Sequence, residues 1–163
     1  MPIRYEIAPD IMEEVNELAT LLFPHVRLDS VSCIRSFGSL SPRTIARCHA
    51  LGKAMQLGMG RRKGFYVIEV LSRRFDKLAE EEKTKVLIHE LMHIPKSFGG
   101  GFRHHDYVCE KNIEREYQRY TNLKKQQLFS ERFSEKKEME NRHEKKEIVS
   151  EVYHPGEKKR WFW

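Results

Sequence analysis

The sequence predicts an α+β domain, and three stretches carry that expectation. Residues 11–22 repeat apolar side chains at helical spacing, residues 65–71 form a β-branched and aromatic run, and residues 86–94 are apolar except at His89, Glu90 and His93. Helix-period and strand-period segments that do not alternate regularly point to helices packed on a small sheet.

Asp10 to Phe23 reads as an amphipathic helix with Ile11, Val15, Leu18 and Leu22 as its apolar stripe. Asp10 is placed to cap it, Glu13 stands three residues on, and Pro24 stops it. Val26 to Phe37 reads as a strand with Val31, Cys33 and Phe37 on one face, and Gly38-Ser39 marks a turn. Residues 44–57 fit two patterns: Ile45, Cys48 and Leu51 suit a helix, while a strand reaching about Leu51 is the alternative. Gly58 to Gly64 is a basic loop that carries Arg61, Arg62 and Lys63.

Phe65 to Leu71 is the clearest strand, apolar on both faces apart from Glu69. Residues 80–94 form a helix with a poor cap at Ala79, compensated by Glu80, Glu81 and Glu82 in the first turn. A third helix runs from Asp106, its expected cap, to about Asn122, with Cys109, Ile113, Tyr117 and Tyr120 as its stripe. A sheet of about three strands then packs on the first helix and the helix of residues 80–94. Past Leu123 apolar residues are sparse and Lys, Glu and Arg dominate. The expected division is a domain at 1–123 and a charged helical or disordered tail at 124–163.

The chemistry lies in His89-Glu90-Leu91-Met92-His93. On a helix, histidines four residues apart share a face and can hold one Zn²⁺. The intervening Glu90 can take a proton from zinc-bound water, which is the arrangement of a peptide-cleaving zinc hydrolase. Five residues are a short pattern in a chain with 8 His and 24 Asp+Glu. The apolar surround adds weight, because burying a carboxylate and two imidazoles unpartnered costs several kcal/mol. The plain alternative is a core helix with hydrogen-bonded histidines and a Glu–Arg pair. A catalytic zinc needs a third protein ligand and one open position. Pro95 can end the helix, Gly99-Gly100-Gly101 can turn the chain back, and His104 and His105 return; these residues alone leave the choice between the two open.

The run from His89 to Pro95, then Phe98-Gly-Gly-Gly-Phe-Arg, then His105, resembles the predicted metallopeptidases of archaea and phages, relatives of the SprT-like zinc peptidases. The resemblance begins near Val31, takes in Tyr66–Val70 and Arg74–Leu78, and covers roughly residues 1–122. It implies a zincin-like fold and a peptidase with one zinc. It favours His105 over His104 as the third ligand and a strand up to about Leu51. It also places a strand beside the metal helix, which makes Phe65–Leu71 the expected edge for an extended substrate. The cysteine zinc ribbon that often follows the domain in SprT-like proteins has no counterpart among Cys33, Cys48 and Cys109.

On this reading His89, His93 and His105 hold zinc and Glu90 is the base. Arg103, His104 and Tyr107 are candidate donors to the transition state. Glu69 is either an acceptor for a ligand histidine's free N–H or a partner of a surface Arg or Lys. The competing function is a non-catalytic zinc module that binds nucleic acid or protein. A combination of the two, a peptidase acting on DNA-bound proteins, is the third. A net charge of +6, the basic loop 61–63 and the basic-aromatic residues 158–163 are the features that would serve nucleic acid. Three widely spaced cysteines argue against a disulfide framework. No apolar run approaches the ~18 residues of a membrane span and no signal peptide is visible, so a cytoplasmic protein is expected.

Overall fold

A computed structural model describes residues 2–61 and 63–152. Arg62 of the basic loop and residues 158–163 of the basic-aromatic terminus lie outside the described residues. The chain divides into two compact units, one ending at Asn122 and the other beginning at Leu123.

The first unit is α+β, built on a four-stranded sheet rather than about three strands. The strands are β1 (Arg4–Ile7), β2 (Val31–Phe37), β3 (Ala46–Ala50) and β4 (Tyr66–Leu71), in spatial order β1-β2-β4-β3. β2 and β4 are parallel, and β1 and β3 run antiparallel to their neighbours. β1 was not legible in the sequence because all four of its residues are exposed, so no buried face marks it. Residues 44–57 combine both expected patterns: β3 is followed by the short helix α2 (Lys53–Gly58).

Helix α1 (Pro9–Leu22) buries Ile11, Val15, Leu18 and Leu22, the stripe expected of it. It starts one residue earlier than expected, with Pro9 in its first turn and Ala8 at the cap. Asp10 is therefore not the cap; its carboxylate meets Arg35 Nη2 on β2 at 2.6 Å. Helix α4 (Glu80–Met92) contacts both α1 and β3, and α1 contacts β2, so the two helices share one face of the sheet. Val31, Cys33, Tyr66, Ile68 and Val70 are buried on that face against Leu87, Ile88 and Leu91 of α4. Phe37 falls outside this core and Ser36 is buried on the opposite face in its place. A four-residue helix α3 (Ser72–Phe75) joins β4 to α4.

Helix α5 spans Glu110–Val152. It starts later than expected, and Asp106 lies in the turn before it rather than at its cap. In the second unit the chain is helical as far as Val152, with Leu128, Phe129, Phe133 and Met139 exposed. No helix among the described residues is long and apolar enough to cross a membrane.

Candidate active site

α4 supplies the first two histidines one turn apart. The helix closes at Met92 with His93 in its C-terminal cap position, and Pro95 follows in the turn beyond. His89 Nε2 and His93 Nε2 lie 3.1 Å apart. His93 Nδ1 donates to the backbone carbonyl of Arg103 at 2.7 Å, while the Arg103 N–H donates to the His93 carbonyl at 2.8 Å. A carbonyl only accepts, so Nδ1 carries the proton and Nε2 keeps its lone pair turned toward His89.

The chain returns from the helix through the three glycines, and the neighbours of Gly100 explain why that position is a glycine. Gly100 has φ +87°, and a side chain there would overlap the Leu51 carbonyl. Tyr66, fully buried on β4, accepts the Gly100 N–H at 3.0 Å and donates to the Gly101 carbonyl at 2.9 Å. The buried Gln56 amide of α2 bonds the Leu51 and Gly99 carbonyls from the other side. This clamp delivers residues 102–105 to the helix end.

His89, His93 and His105 each offer a ring nitrogen within 4.8 Å of the others, and among the described residues no further carboxylate or thiolate joins this group. His104 is not part of it, although it lines the same open cleft of about 680 Å³. Burial, and then the neighbouring rings of His93 and His105, hold His89 down at about 4, so its ring is neutral near neutral pH. Burial lowers His93 as well. The three imidazoles, joined by no fourth side chain among the described residues, form a group able to hold a metal ion.

Glu90 is 6% exposed and lines the cleft. Burial pushes its carboxyl up to about 7, against the opposing hydrogen bond from the Cys48 N–H of β3. That strand is the free edge of the sheet. Leu51 N–H bonds the Phe65 carbonyl and Leu71 N–H bonds the Ile45 carbonyl, so the antiparallel pattern turns the backbone groups of Ala46, Cys48 and Ala50 outward. The expected substrate edge, Phe65–Leu71, is instead β4, which is paired on both sides by β2 and β3.

The remaining expected residues separate. Arg103 lines the cleft and its guanidinium lies over the Tyr107 ring, 3.2 Å from the centroid; Tyr107 does not line the cleft. Glu69 meets none of the three histidines. Its Oε2 accepts from His49 Nε2 at 2.7 Å and lies 3.5 Å from Arg47 Nη1, so it takes the partner of the second expectation, an arginine, with a histidine added. Sequence reasoning missed Cys48 and Tyr66. Cys48 acts through its backbone, which no side chain advertises, and the hydroxyl of Tyr66 finds its glycine partners 34 and 35 residues away.

No curated protein and no solved structure matches the chain. Residues 3–132 match the model of the family described as "Putative phage metallopeptidase", and the chain belongs to that family.

Proposed function

We propose that residues 1–123 form a zincin-like peptidase domain that hydrolyses peptide bonds, with His89, His93 and His105 holding one Zn²⁺ and Glu90 as the base. The observation that carries this reading is the three-histidine group with the buried Glu90 beside it on one helix turn. Zinc, when bound, supplies a Lewis acid for the scissile carbonyl and lowers the pKa of water at the site. Glu90, held near 7, accepts a proton from the attacking water and returns it to the leaving amine. The outward N–H and C=O groups of Ala46 and Ala50 offer an extended substrate a strand to pair with.

The family supports a protein substrate. A structural zinc would require a fourth ligand, and the donor group has three. Cys33, Cys48 and Cys109 are free thiols, which suits a reducing compartment such as the cytoplasm. Nucleic acid binding rests only on the basic loop and terminus, where Arg61 is stacked on Phe65.

Purified protein is expected to carry about one zinc per chain and to cleave an unfolded protein. Glu90→Gln keeps the metal and loses cleavage. If Glu90→Gln cleaves as fast as wild type, the mechanism is wrong.

A further inference from the structure

The cleft continues past the three histidines into a second hollow of about 540 Å³, which shares His89 and Glu90 with it. The two halves differ in chemistry. On the His93 side the walls carry Arg47, His49, Arg103 and His104. On the far side Ile45, Val86, Val108 and Ile113 give an apolar lining, and Glu82, Glu110 and Glu114 stand at the hollow. Lys85 and Arg43 also reach this hollow; the Lys85 ammonium is bound by Glu81 at 2.7 Å and Glu114 at 2.9 Å, and Arg43, which lines both halves, is a single cation set against Glu82 and Glu110. Glu82 and Glu110 have no ion-pair partner among the described residues.

An apolar lining with unpaired carboxylates at the surface is complementary to a side chain with a long hydrocarbon stem and a cationic head. We propose that this hollow is a specificity pocket for lysine or arginine, and that the enzyme cleaves on the N-terminal side of such residues. The proposal rests on the peptidase reading above. Direction follows from antiparallel pairing with β3, the more stable pairing per residue. A substrate strand antiparallel to Ala46–Ala50 enters at the Ala50 end, crosses Glu90 near Cys48 and leaves past Ala46. The hollow contains Thr44, Ile45 and Ala46, so it receives the residue after the cut. The opposite half, lined by Arg47 and Arg103, repels a cation in the residues before the cut.

The test compares two peptides of equal length, with lysine or norleucine after the scissile bond. Norleucine keeps the stem and lacks the charge. The lysine peptide is expected to be cleaved with kcat/KM about fivefold higher, and Glu82→Gln/Glu110→Gln to bring the ratio to about one. Raising the salt on the wild-type protein is expected to shrink the same ratio without any substitution. Glu90→Gln protein, which binds without cutting, is expected to show the same preference by calorimetry. Equal cleavage and equal binding of both peptides overturn the pocket and leave the peptidase reading standing. Cleavage of an unfolded protein at sites not followed by lysine or arginine overturns the pocket alone, and failure to cleave both peptides and the unfolded protein at any salt overturns the peptidase reading itself.

Discussion

His93 Nδ1 sits 2.7 Å from the backbone carbonyl of Arg103, so a main-chain atom orients this ring. The Arg103 side chain points elsewhere, over Tyr107. Arg103→Ala is therefore expected to keep about one zinc per chain, while His93→Ala loses it. Metal analysis of the two purified variants decides it. Equal loss in both sinks the main-chain account.

Tyr66 holds the glycine loop by accepting from Gly100 and donating to the next residue, Gly101. Tyr66→Phe leaves the half-buried Gly100 N–H and the carbonyl of the exposed Gly101 without that partner, which costs about 1 kcal/mol. The loop carries the chain back to His105, so zinc affinity is expected to fall by about tenfold as well. Urea denaturation and a competitive zinc titration read the two effects separately. A stability loss with unchanged zinc affinity would show that the loop does not position the third ligand.

The parts of this site that were legible in the sequence are local. His89 and His93 are one turn apart, Glu90 is adjacent, and the proline and glycines announce a return of the chain. The strand at residues 66–71 was legible because both its faces are buried and its residues are β-branched or aromatic. What was not legible depends on which strands meet. The free edge belongs to β3 only because β4 pairs with β2 on its other side, and periodicity carries no information about sheet order. The partner of Glu69 was hidden for the same reason. Arg47 stands opposite it only through the β3–β4 register, with His49 two residues further along β3.

That register makes Glu69 a sensor of acid stability. Burial works to raise its carboxyl, but Ser36, His49 and Arg47 together outweigh burial and hold it below its ordinary value. The folded pKa is lower than the unfolded one, so the folded state gains from ionised Glu69 above about pH 4.5 and loses that gain as pH falls through the folded value. Glu69→Gln is expected to lower stability near neutral pH by about 1–3 kcal/mol. Below pH 4.5 the wild type should lose stability more steeply than the variant. Parallel curves of denaturation midpoint against pH for the two proteins would remove this role.

Gly100 and Gly99 give a matched pair at neighbouring positions. Gly100 has φ +87°, and an added Cβ would overlap both the Leu51 carbonyl and the Gln56 amide. Neither can retreat, because Gln56 is buried and bonded to Leu51 and Gly99. At Gly99 an added Cβ would meet only Ser97 Oγ, at an ordinary 3.8 Å. Gly100→Ala is expected to destabilise the protein by about 1–3 kcal/mol from backbone strain, with the overlap adding to it. The strained loop should also shift His105 and weaken zinc binding. Gly99→Ala is expected to stay within about 0.5 kcal/mol of wild type and keep its metal. Thermal denaturation and metal analysis on the pair give the answer. If both variants behave alike, the glycine loop is not held as tightly as Tyr66 and Gln56 indicate, and the return of His105 to the metal must be fixed by residues 102–105 themselves.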